Sequence, residues 1–218
     1  MSEQELITKT AEFMKQKFAK DPTGHDWWHL YRVWQLSKHI ASKENGADML
    51  VVELAALLHD IADHKFHNGD MEIGATEAGK WLRKIHADTN TIEHVQEIIR
   101  NISFKGVNHK IDLKTLEGHI VHDADKLDAM GAVGIARAIT FGGAHGRLIY
   151  SPDIPIMEDY EFEKTNAGNS TSIHHFYEKL LLLKDRMFTK TGKEMAEHRH
   201  KYMEDYLNEF YAEWEGKL

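Results

Sequence analysis

Cysteine is absent from the 218 residues. Its absence excludes disulfides and thiolate chemistry and is compatible with a reducing cytoplasm. Proline occurs three times, so few positions force a helix to break. No apolar run approaches the ~20 residues of a membrane span. The start, Met1-Ser2-Glu3-Gln4-Glu5, lacks the basic-then-apolar layout of a signal peptide. A basic excess is also missing: the formal charge of −8 leaves no footprint for binding long nucleic acid. A small anionic substrate stays admissible, because a bound dication would set the local field. These absences point to a soluble cytoplasmic protein with no membrane partner.

What is present reads as helix. An apolar fraction of 42% and a charged fraction of 28% suit a globular protein, and the length fits one large domain, taken as residues 1–218. With periodicities near 3.6 throughout, the expected class is an all-α helical bundle with a long irregular loop before the last two helices. Residues 3–19 predict a first helix on Leu6, Ile7, Thr10, Phe13, Met14 and Phe18. A second runs to about Glu44, with His29, Val33, Leu36 and Ile40 as one inward stripe. Gly46 stops it and Asp48 caps the next. Residues 71–86 predict a fourth helix, and Asn90 with Glu93 predicts a capping box opening a fifth. Its His94, like His86 before it, reads as solvated. Leu113 to Phe141 reads as one or two helices.

From Gly142 to Asn169 the chain turns glycine-rich and irregular, either a lid, a substrate-contacting loop or a mobile connection. Two closing helices follow. One carries Ile173, Phe176, Leu180, Leu183 and Met187 in register; the other covers about 192–215. No repeat, low-complexity tract or linker marks a second domain.

The chemistry gathers around Leu54-Ala55-Ala56-Leu57-Leu58-His59-Asp60. This helix is apolar on almost every side and should be covered on most of them. A carboxylate at its end loses hydration and needs a cation or several donors to stay charged, and the neighbouring imidazole is a second ligand of a kind divalent metals favour. His29 lies on an inward face, with His25 one turn earlier and Arg32 one turn later, a grouping suited to something anionic. A third polar cluster, His122-Asp123-Ala124-Asp125-Lys126-Leu127-Asp128, sits among apolar residues. Periodicity does not choose between Asp123 and Asp125 as its inward carboxylate, and Lys126 reads equally as a surface residue.

In order, His29, then His59-Asp60, then an aspartate near 125 resembles the H…HD…D signature of the HD-domain superfamily of metal-dependent phosphohydrolases. His29-Leu30-Tyr31-Arg32-Val33 resembles its H-x-x-R-V opening, Leu57-Leu58-His59-Asp60-Ile61 its apolar approach to the HD pair, and Ala124-Asp125-Lys126-Leu127 its A-D-[KR]-L ending. The resemblance covers about residues 25–137 and is what selects Asp125 over Asp123.

The resemblance implies one divalent ion per chain on His29, His59, Asp60 and Asp125, with manganese, cobalt, nickel, iron, zinc and magnesium all suited to such a nitrogen and oxygen set. Asp63, or else Asp128, is then the candidate to act as general base or to orient a water; for Asp63 the alternative is a hydrogen-bond partner of a ligand histidine. Arg32 and Lys65 would neutralise substrate phosphates, and His25, Asp128, His175 and Lys179 are further substrate-binding candidates. Nucleotides are the substrates the resemblance favours, with (deoxy)nucleoside triphosphate pyrophosphohydrolysis as the preferred reaction. A cyclic-nucleotide or oligonucleotide phosphodiesterase would need a second metal, for which His86, His109, His122 and His145 are candidates. A di-iron oxygenase and a non-catalytic nucleotide-binding module complete the alternatives. Helical HD proteins often pair, so a homodimer is admitted, although no stripe here is diagnostic of one.

Overall fold

Helix begins where a side chain can take up the first free amide hydrogens, and the starts at Ser2, Asp26, Asp48 and Asp88 show it. The structure, a computed structural model, describes residues 1–19, 26–62, 70–102, 112–156 and 170–218. His25, Asp63, Lys65 and His109 therefore lie outside the described residues, as does the whole segment from 157 to 169. Among the described residues there are nine α-helices, one 3₁₀ segment and no strand. The chain is all-α.

Ser2 and Glu5 form a reciprocal capping box at the head of α1 (Glu3–Lys17). Asp26 caps α2 (Trp27–Ala41), its carboxylate accepting from the His29 amide at 2.9 Å. Asp48 caps α3 (Met49–Leu58) through the amides of Leu50 and Val51. Next come α4 (Ile73–Lys84) and α5 (Thr89–Ile102). The expected cap of α5 needs correction: Asp88, not Asn90, takes the amide of Thr91 at 3.0 Å and its hydroxyl at 2.6 Å. Those two bonds hold the Asp88 carboxyl below its ordinary pKa. The region from 113 to 141 resolves into two helices, α6 (Leu116–Asp128) and α7 (Gly131–Ala144). Gly142 and Gly143 are thus helical rather than the start of an irregular segment.

By contact the described residues form two compact units, one up to Ala124 and one from Asp125. In the first, α3 packs against α1, α2 and α5, and α4 against α5. Val52, Leu54, Ala55, Ala56, Leu57 and Leu58 are wholly buried, so each large aliphatic chain there contributes roughly 1.5–3 kcal/mol of transfer free energy. Glu117 ties this unit together: its carboxylate accepts from the Asp48 amide at 2.8 Å and lies 3.6 Å from His94 Nε2. His94 is accordingly half-buried and paired, a correction to its reading as solvated, whereas His86 is exposed.

In the second unit α9 (Lys190–Trp214) packs on α7 and on the 3₁₀ segment Leu180–Arg186. That segment and the short α8 (His174–Glu178) replace the single helix expected over 173–187. The backbone of Lys179, at φ −144 and ψ −55, breaks the helix there. The stripe Ile173, Phe176, Leu180, Leu183 and Met187 is nevertheless buried throughout, because three- and four-residue steps keep one side inward in both helix types.

The turn between α6 and α7 requires glycine twice. Gly131 has φ +69, and a Cβ on Gly134 would overlap the carbonyl of Ala129. Gly134→Ala should therefore lower the unfolding free energy by about 2–3 kcal/mol. Gly143→Ala in the same helix, where an added Cβ meets nothing within 4 Å, should be neutral or stabilising by up to about 1 kcal/mol. Urea unfolding of the two variants checks the contrast.

Candidate metal centre

His29 is the third residue of α2, where the Asp26 cap fixes the first turn and so the direction of the imidazole. His59 follows the last residue of α3, still with helical backbone angles (φ −58, ψ −33). Its Nδ1 donates to the carbonyl of Ala56 at 2.8 Å. A carbonyl can only accept, so Nδ1 carries the proton and Nε2 presents a lone pair in the neutral ring. That lone pair faces His29 Nε2 at 3.3 Å, with the ring centroids 5.3 Å apart. Asp60 Oδ2 lies 3.4 Å from each of the two Nε2 atoms. Both imidazoles are buried, His29 at 2% and His59 at 6% exposure.

One ligand atom each from His29, His59 and Asp125 lies within 4.8 Å of the others. The division between the units falls inside α6, between Ala124 and Asp125, where the helix is continuous. Asp125 thus rides on the helix that carries Asp123 and His122. The donor set tests well against a divalent ion. Metal–nitrogen and metal–oxygen bonds of about 2.1 Å place neighbouring ligand atoms about 3.0–3.4 Å apart, and the His29, His59 and Asp60 atoms have that spacing. Without a cation, acceptor atoms this close would repel unless a proton intervened. Two imidazoles and carboxylate oxygens, with no thiolate in the chain, make a site for a borderline or hard dication.

Elsewhere on α6 the polar residues separate into distinct surroundings. Asp123 is wholly buried and faces His122 Nδ1 at 3.1 Å. Asp125 keeps 23% of its side-chain surface in solvent, and Lys126 Nζ donates to its Oδ2 at 2.8 Å. Lys126 itself is buried (9% exposed), which corrects the surface alternative: it holds an ammonium beside a proposed ligand carboxylate, and a residue next to a motif aspartate was the one signal available for it. Asp128 is 1% exposed and takes a 2.6 Å bond from Arg137 Nη1. Arg199 donates to the carbonyl of Leu127 nearby, and burial lowers its guanidinium pKa.

Arg32 lies on α2, half-buried, one turn after His29. His175 and Lys179 belong to the second unit and are also half-buried. Burial, then the charges of Lys179 and Arg147, push the His175 pKa down to about 3, so its ring is neutral near pH 7 and can meet an anion only as a neutral donor. Burial likewise lowers the pKa of His174. Of the second-metal candidates, His122 pairs with Asp123, and the exposed His145 donates from Nδ1 to the carbonyl of Phe141 at 2.8 Å and stacks on its ring.

The family described as HD domain matches residues 27–130. A relative from Bacillus subtilis (strain 168), the uncharacterized protein YpgQ, is 35% identical over 211 residues, covering 96% of this chain and 94% of its own. Among solved structures, an HD-superfamily hydrolase from Bacillus thuringiensis is similar at 41% identity and a TM-score of 0.77, over 98% of this chain and 99% of that one. The structure of Bacillus subtilis YpgQ in complex with ADP matches at 32% identity and a TM-score of 0.72, over 95% and 97% of the two chains.

The two aspartates of α6 can be told apart. Asp125→Ala should weaken manganese binding at least tenfold with little change in the unfolding of metal-free protein. Asp123→Ala removes the carboxylate that faces His122 and should cost about 2–3 kcal/mol of stability. Calorimetric titration with manganese and urea unfolding read the two effects; the reverse pattern would move the ligand to Asp123.

Proposed function

The chain belongs to the HD-domain superfamily of metal-dependent phosphohydrolases, and from that premise we propose that it hydrolyses nucleotides, preferentially as a (deoxy)nucleoside triphosphate pyrophosphohydrolase. The observation that carries this reading is the convergence of His29 Nε2, His59 Nε2 and Asp60 Oδ2 at 3.3–3.4 Å, with Asp125 close by. The nucleotide in the YpgQ complex supports the substrate class, since that relative matches this chain over nearly its whole length.

In this scheme His29, His59, Asp60 and Asp125 hold one divalent ion. When bound, such an ion polarises a phosphoryl oxygen and lowers the pKa of water. The work of the remaining residues is positioning and charge. Arg32, within a turn of His29, neutralises phosphate oxygens together with Lys65, and a guanidinium suits the task because its planar fork can bond two oxygens at once. Asp63, three residues beyond Asp60, accepts the proton of the attacking water. As that water bonds to phosphorus, the bond to the departing pyrophosphate oxygen breaks, and no covalent enzyme intermediate is needed.

Lys126 also takes part in this reading. Its ammonium beside Asp125 Oδ2 lowers the cost of gathering two aspartates in one half-buried place. Manganese, which suits the carboxylate and water part of this ligand set, is the proposed ion.

Purified protein supplied with manganese should release pyrophosphate from one or more nucleoside triphosphates in a screen of ribo- and deoxyribonucleotides. Asp60→Ala should reduce turnover by at least a hundredfold, since it removes a ligand carboxylate. Release of neither pyrophosphate nor phosphate from any nucleotide would refute the proposal.

A further inference from the structure

α2 has two faces, and the buried one accounts for half of it. His29, Leu30, Val33, Ser37, Ile40 and Ala41 point into the first unit. On the other side Trp27, Tyr31, Trp34 and Lys38 follow at steps of four, three and four, with Trp28 beside them. These aromatic rings touch in sequence: Trp27 to Tyr31 at 6.2 Å, Trp28 to Tyr31 at 5.9 Å, and Tyr31 to Trp34 at 6.2 Å. Trp34 has a visible structural task. Its Nε1 donates to Glu53 on α3 at 2.7 Å, and the Lys38 ammonium sits 5.3 Å from its ring centroid.

Trp28 and Tyr31 are different. Trp28 is 59% exposed and Tyr31 39% exposed. Their planes meet at 81° in an edge-to-face contact, so the two rings are not stacked face to face. A single exposed apolar residue is ordinary on a protein surface. Here, however, a braced pair of large rings immediately adjoins a proposed metal ligand.

We infer that this outward face of α2 receives the base of the nucleotide, with the Trp28 indole as its stacking platform and Tyr31 as the brace. The inference rests on the reading of the chain as a nucleotide hydrolase and adds the element that recognises the base. Consecutive helical residues differ by 1.5 Å in rise and about 100° in direction, so the side-chain tips of Trp28 and His29 diverge to separations on the order of 10 Å. A nucleotide separates its base from its outer phosphates by a comparable span. Arg32, one turn after Trp28, lies within the same stretch of helix to meet the anionic part. One turn of α2 thus offers a flat apolar surface, a phosphate-binding guanidinium and a metal ligand, in keeping with the parts of a nucleotide. Stacking on an aromatic face tolerates any base, so this platform favours nucleotides over base-free phosphates without choosing strongly among the bases.

The test compares wild type, Trp28→Ala and Trp28→Phe in the manganese-loaded full chain. The substrates are dATP and inorganic tripolyphosphate, which has the phosphates and no base. In Trp28→Ala the ratio of kcat/KM for dATP to that for tripolyphosphate should fall roughly tenfold, and Trp28→Phe should recover most of it. Adding ADP to wild type should quench tryptophan fluorescence by an amount that Trp28→Ala loses. An unchanged ratio in a folded Trp28→Ala protein would overturn the inference. So would a change from paired to single chains on light scattering with the ratio intact, which would make the face a contact between two copies. If wild type cleaves no nucleotide, the functional reading falls; the ADP-dependent quenching then judges the platform by itself.

Discussion

Two imidazole nitrogens and one carboxylate oxygen set the terms for this protein: His29 Nε2, His59 Nε2 and Asp60 Oδ2 meet at 3.3–3.4 Å inside or beside a buried helical core. Lone pairs do not gather in low dielectric unless something positive compensates them. The features that surround them hold the atoms in place. The Asp26 carboxylate locks the first turn of α2, and the Ala56 carbonyl fixes the tautomer of His59. The core position of α3 leaves the imidazoles little room to turn away. A dication would offset their crowding, and the chain belongs to a superfamily that uses one.

The same logic explains why α3 is so apolar. A helix covered by α1, α2 and α5 cannot carry polar side chains without partners, so its sequence is nearly all aliphatic up to Leu58, just before the buried His59 and the half-buried Asp60. Among the described residues, several buried carboxylates are matched. Glu117 meets an amide and an imidazole, Asp128 meets Arg137, and Asp123 meets His122. Asp125 differs from these in keeping partial exposure beside Lys126, as a group that also has to face solvent and substrate would.

Much of this was legible in the sequence, and the reasons vary by residue. The all-α class followed from period 3.6, and Asp48 as a cap from the residue type preferred there. His29, His59 and Asp125 were picked out by motif order, while periodicity had left Asp123 and Asp125 tied; the distinction is one of environment, which a helical wheel does not contain. Asn90 reads as the cap because a glutamate stands three residues after it, yet the helix begins earlier. The break at Lys179 was invisible because α and 3₁₀ turns bury the same stripe. The burial of Lys126 and the pairing of His94 with Glu117 depend on contacts between distant segments.

In the proposed centre His29 and His59 bind the same ion through nitrogen. Electron spin-echo spectroscopy of the protein carrying one manganese(II) tests it most directly, because each coordinated imidazole imprints its nitrogen on the signal. Two such nitrogens are expected in wild type and one in each of His29→Ala and His59→Ala. Nitrogen modulation unaffected by either substitution, or none in wild type, would contradict it.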